Sequence, residues 1–160
     1  MAIDAVNRER VVGFWRDEFG VPPETFDGYR FYKKGARKVW AVSSETAARL
    51  GDDSSDDGSL DALDHESVGL PLMRVGGEHD KPTTDALQRF GDAATRKVVD
   101  VDLDAARGFV RGETVEREYD VEDLGYVVVR HDGRTLGCGL YFPGELRSQV
   151  PKGRRVELVV

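Results

Sequence analysis

The cations of this chain are bunched, and the bunches are where binding chemistry is to be sought. Near the end stand Arg147, Lys152, Arg154 and Arg155, with Pro151 and Gly153 among them. Guanidinium forks and an ammonium at that density suit phosphate oxygens, and Gly153 would let a sugar–phosphate chain come close. A second group is Arg74 and Lys81, on either side of the Gly76-Gly77 turn. Pro82, Thr83 and Thr84 open a helix there, and the first amides of a helix are a natural phosphate seat. The third group, Arg30, Lys33, Lys34, Arg37 and Lys38, is interleaved with Tyr29, Phe31, Tyr32 and Trp40 and holds no acid. Cations between aromatic faces suit a single-stranded or flipped base. Each group also has an ordinary reading: a solvated loop, a capped helix, or a hairpin whose lysine tip guards a sheet edge against pairing.

Chemistry other than binding finds little support. Cys138 is the single cysteine, so no disulfide forms within the chain, and a reducing compartment fits. It lies between Gly137 and Gly139 in a strand-like run, where a buried structural thiol is expected rather than a nucleophile. His65, His79 and His131 are scattered without metal-ligand spacing. In so acidic a chain, two carboxylates at a helpful spacing mean little, so no acid–base pair is nominated. No catalytic residue, metal or cofactor is expected. A small hydrolase or transferase would need a deep pocket with convergent polar groups, which the sequence does not show.

Length and charge bound the remainder. The 160 residues suit one domain, or one domain with a small appendage. A net charge of -7 argues against a general polyanion binder. Asp and Arg dominate the charged residues, the composition of a protein adapted to high salt. At about 1 M salt the Debye length is about 3 Å, so contact-range hydrogen bonds, shape and stacking would carry recognition. Neither a leader peptide nor a long apolar span is evident, so a soluble cytoplasmic protein away from membranes is expected.

The elements that must position these groups can be read from apolar spacing. Residues 8–19 carry Val11, Val12, Phe14, Trp15 and Phe19 at helical spacing, stopped by Gly20. Two β-like runs, 29–32 and 38–42, make a hairpin with a basic tip. Ser43 or Ser44 caps a short helix. Residues 51–66 are acidic and hold neither Lys nor Arg, which reads as a flexible linker with at most a helical turn near 60–63. A strand at 68–75 and a helix capped by Thr83 or Thr84 follow, then a strand at 98–101. Next come a helix started by Asp102 or Asp104, and a strand at 114–119. Asp132-Gly133 joins runs at 126–129 and 135–142 in a tight hairpin. A basic loop then leads to a last strand at 156–160. The order favours an α+β fold with a small, mixed, curved and partly closed sheet, plus an N-terminal α/β extension at residues 1–50.

From about residue 68 onward the chain resembles the PUA-like C-terminal domain of the Sun/Fmu/NOL-type RNA 5-methylcytosine methyltransferases. The matching pieces are the strand Val68-Gly69-Leu70-Pro71-Leu72-Met73-Arg74-Val75-Gly76, the helix start Lys81-Pro82-Thr83, and the helix at 105–112 followed by Glu113. Three more are Gly125-Tyr126-Val127-Val128-Val129, Leu136-Gly137-Cys138-Gly139 and Pro151-Lys152-Gly153-Arg154-Arg155. The resemblance implies a PUA-like pseudo-barrel at residues 67–160 that binds structured rRNA or tRNA, in RNA modification or ribosome biogenesis. It also points to the strand-to-helix loop at Arg74–Lys81 as lying against the RNA. Relatives carry a catalytic domain beside this one. This chain has neither the Gly-rich loop for S-adenosylmethionine nor a Pro-Cys nucleophile, so a stand-alone, non-enzymatic RNA binder is expected. The acid-rich composition suggests that it comes from a halophilic archaeon. The alternative is a protein–protein adaptor that docks an RNA methyltransferase through the acidic segment and the strand at 156–160.

Overall fold

The computed structural model describes residues 3–5, 7–49 and 69–154. The acidic segment at 51–66, the helical turn near 60–63, Arg155 and the strand expected at 156–160 lie outside the described residues, as does the side chain of Arg154.

An asparagine ahead of an apolar stripe begins the first helix, α1 (Arg8–Phe19). The Asn7 side-chain oxygen accepts from the Glu9 and Arg10 amides, filling two of the orphan donors of a helix start. Gly20 ends it at φ 67°, as the sequence predicts. Val11, Trp15 and Phe19 form its buried stripe. Five strands make one antiparallel sheet in chain order: β1 (Ile3–Ala5), β2 (Tyr29–Lys34), β3 (Lys38–Ser43), β4 (Leu70–Arg74) and β5 (Lys81–Pro82). The sheet therefore continues across the acidic segment, since β3 pairs with β4. Helix α2 (Ser44–Arg49) starts where the Ser43 hydroxyl accepts from the Thr46 amide. Helix α3 (Thr84–Phe90) is capped by Thr83.

The second sheet is mixed. β6 (Val98–Asp100) runs parallel to β7 (Gly125–His131), while β8 (Arg134–Phe142) and β9 (Glu145–Ser148) continue it antiparallel. Helix α4 (Leu103–Val110) is capped by Asp102. The turn between β7 and β8 has positive φ at both central residues, Asp132 (51°) and Gly133 (77°), which is the twist a two-residue hairpin requires.

One apolar core joins the two sheets. Trp15, Phe19, Phe26, Phe31, Val39, Leu72, Leu87 and Phe90 meet Val128 and Cys138 there. The rings of Phe26 and Phe90 lie 4.9 Å apart. A second core holds Val99, Ala106, Phe109, Val127, Val129, Tyr141 and Leu146. Val128 faces one core and its neighbours Val127 and Val129 the other. That explains why β7 reads as an unbroken β-branched run rather than an alternating one. The architecture is α+β, with the expected mixed sheet and N-terminal extension; among the described residues both sheets stay open rather than closing into a barrel.

Two local expectations are corrected. The strand expected at 114–119 reduces to one bridge, Val115 with Leu146. Its remaining groups are used otherwise: Arg117 reaches Asp102 and Asp104 at the head of α4, and the Tyr119 amide donates to the Tyr141 hydroxyl. The basic loop expected after β8 begins instead with strand β9.

Candidate nucleic-acid interface

Register, which no composition argument supplies, brings part of the candidate set into one line. Lys34 pairs with Lys38 across β2–β3, Lys38 with Arg74 across β3–β4, and Arg74 with Lys81 across β4–β5. Directly paired residues share a face of a sheet, so these four cations form one rung on one face. Three inter-strand steps of about 4.8 Å give the rung a length of about 14 Å, the axial rise of about four stacked nucleotides. Like charges opposite one another destabilise a sheet. Among the described residues none of the four is paired with a carboxylate. Lys34 and Lys38 rest over the Trp40 ring, at 4.6 and 5.4 Å from its centroid.

Beside the rung lies a groove of about 450 Å³, lined by Lys38, Arg74 and Lys81, by Pro71 and Pro82, by Thr83, Thr84 and Asp85, and by Gln149 and Pro151. The last two come from the C-terminal segment. After β9 the chain stays close to β8, with the Gln149 amide donating to the Cys138 carbonyl. Its side-chain oxygen accepts from the Lys81 ammonium at 2.9 Å. Lys81 also sits 5.6 Å above the Tyr126 ring. Burial pushes the Tyr126 phenol upward, so that ring stays neutral beneath the cation. The exposed residues Pro151, Lys152 and Gly153 lead away from the groove rim. Among the described residues nothing lies within 4 Å of where a Gly153 side chain would begin.

The other candidates fall elsewhere. Lys33 pairs with Val39, a core residue, and so sits on the opposite face from Lys34. Arg37 is exposed at the β2–β3 turn and Arg30 lies along β2 toward Tyr29. Arg147 is not in a loop. It lies on β9, where its guanidinium pairs with Glu145 at 2.7 Å and covers the Phe142 ring. The amide seat expected at the α3 start is partly filled, because the Thr83 hydroxyl accepts the Ala86 amide. Thr84 is spent internally too, accepting from the Cys138 amide.

Sequence reasoning missed Gln149, whose link to Lys81 needs contacts between distant segments. It also missed the alignment of the rung. One signal was available: Lys34 and Lys38 flank a three-residue turn, which sets them opposite each other.

Cys138 is wholly buried, and burial pushes its thiol up to about 12. It is the packed structural residue expected, unable to supply a thiolate near neutral pH. Among the described residues no group of three or more His, Cys, Asp or Glu could hold a metal ion. No described helix is long and apolar enough to cross a membrane.

Comparison with known proteins divides the chain. Residues 2–52 match a family of unknown function (DUF7122). Residues 96–156 match the family model for the methyltransferase RsmF PUA domain. That segment takes in the 105–113, Gly125–Val129, Leu136–Gly139 and Pro151–Arg155 pieces of the resemblance. The Val68–Gly76 and Lys81–Thr83 pieces lie before it. The ribosomal RNA small subunit methyltransferase F of Aeromonas salmonicida (strain A449) is 29% identical over 90 residues, which is 56% of this chain and 19% of that relative. Its counterpart from Aeromonas hydrophila is 28% identical over 90 residues, again 19% of the relative's length. The chain thus spans about a fifth of the curated relatives it matches. Over residues 96–156, then, the chain is similar to the PUA domain of the methyltransferase RsmF, and the elements from α1 to α3 lie before that segment.

Proposed function

We propose, from the RsmF-type PUA-like domain and the cationic rung beside it, that this chain is a non-catalytic RNA-binding module. It would act in the cytoplasm on structured ribosomal or transfer RNA during modification or ribosome assembly. Lys34, Lys38, Arg74 and Lys81 take backbone phosphates, the groove between Pro71 and Pro151 seats the strand, and Lys152, Gly153, Arg154 and Arg155 extend the contact. One observation carries the reading: four like charges set side by side, none of them paired with a carboxylate among the described residues, in a chain of net charge -7. An arrangement that costs stability in the free protein is offset when an anion arrives. Arg147 is no longer among the favoured residues, because Glu145 already occupies it.

The buried Cys138, the chain's only cysteine, supports a module without the catalytic step of the relatives named methyltransferases. The adaptor alternative rests on residues 51–66 and 156–160, which lie outside the described residues, and no described surface favours it.

The test is a salt-series titration of a labelled small-subunit rRNA fragment. The double variant Lys38→Glu with Arg74→Glu is compared with Arg107→Glu and Arg134→Glu, exposed cations away from the groove. Loss of binding in the first pair alone supports the assignment. Equal loss in both pairs, or none in either, rejects it.

A further inference from the structure

Trp40 is the feature the phosphate rung leaves unexplained. It lies two residues along β3 from Lys38 and so shares the rung's face. It pairs across the β3–β4 ladder with Pro71, which lines the groove. The residue is half-buried, and among the described residues its indole Nε1 is buried without a hydrogen-bond partner. The side chain is therefore held in place by packing, not by its polar atom. Two ammonium groups, from Lys34 and Lys38, lie over the π-system at 4.6 and 5.4 Å.

Resting on the RNA reading above, we propose that Trp40 is a stacking platform for an unpaired nucleotide, so that the site takes a single-stranded segment rather than the flank of a duplex. Lysine heads are mobile and hydrated, and a face they can cover is a face a base can reach. Stacking on a base is worth more than an exposed cation–π contact. When a strand arrives, Lys34 and Lys38 exchange the ring for phosphates and the base takes their place. Both partners of the displaced contact gain, and Lys38 links the two parts because it belongs to the rung and to the ring. A base inside a helix has both faces taken by its neighbours and cannot make this exchange. The neighbouring cations carry no base readout, so the site tolerates sequence.

Anisotropy titrations of an unstructured RNA 12-mer and of a blunt RNA hairpin test this with wild type, Trp40→Phe and Trp40→Leu. Thermal unfolding confirms that each variant is folded. The single strand binds wild type more tightly than the hairpin; Trp40→Leu loses about tenfold or more for the single strand, and Trp40→Phe keeps most of it. In the unmodified protein the 12-mer quenches tryptophan emission through Trp40, since Trp15 is wholly buried. Hairpin preference, or unchanged single-strand affinity in Trp40→Leu without quenching, overturns the platform. If the rung variants still abolish binding in that case, the phosphate reading stands alone. Failure of wild type to bind either RNA overturns both.

Discussion

Lys38 and Arg74 stand directly opposite each other on β3 and β4, two cations of one rung with no carboxylate partner among the described residues. A sheet optimised for its own stability would put opposite charges there. Replacing either by glutamine is expected to leave the melting temperature unchanged or raise it. RNA affinity falls, and the salt slope of binding drops by about 1 per phosphate contact removed. Differential scanning fluorimetry and the salt series, run on the same samples, check both halves.

Gly139 is packed from two sides. A side-chain carbon there would meet Leu146 Cδ1 at 2.7 Å and Val129 Cγ2 at 2.9 Å, both in the second core. Gly139→Ala is expected to cost about 1–3 kcal/mol through overpacking, measured by urea unfolding. Gly153→Ala, with open space around it among the described residues, is expected to leave stability unchanged and to weaken RNA binding by narrowing the approach of the strand.

The Cys138 thiol is buried and pushed up to about 12. Iodoacetamide at neutral pH is expected to leave the native protein unmodified for hours and to label it fully in denaturant. Mass spectrometry reads the difference. Rapid labelling of the folded protein would contradict the packing around this strand.

Asp102 caps α4, and its carboxyl is held below the usual range, first by the Ala105 amide and then by Arg117. A carboxylate whose pKa is depressed in the folded state contributes stability above its unfolded pKa of about 3.9. That contribution is lost as pH falls through the lower folded value. The wild type should therefore exceed Asp102→Asn in stability at pH 6, and the gap should close toward pH 2. A gap independent of pH would show that the charge is not what the cap uses.

Local signals were legible in the sequence, and pairing between distant segments was not. The α1 stripe, the glycine stop at Gly20, the Thr83 cap and the Asp132-Gly133 turn each depend on neighbours within a few residues, so their chemistry declares them. The rung depends on where β4 settles against β3, across an acidic stretch the chain must cross first. A register shift between Val39 and Trp40 sets that pairing, and nothing in the residue types announces it. Arg147 was misread for a similar reason. Its four-residue strand is stabilised by β8 and by the Val115 bridge, not by its own apolar pattern. The strand expected at 114–119 failed because Arg117 and the Tyr119 amide found better partners.

The most direct test of the central claim is photocrosslinking of bound rRNA fragments followed by peptide mapping. Crosslinked peptides are expected from residues 29–43, 70–85 and 149–155, with Trp40 or Lys81 among the modified residues. Crosslinks confined to α1, α4 or the β7–β8 turn would contradict it.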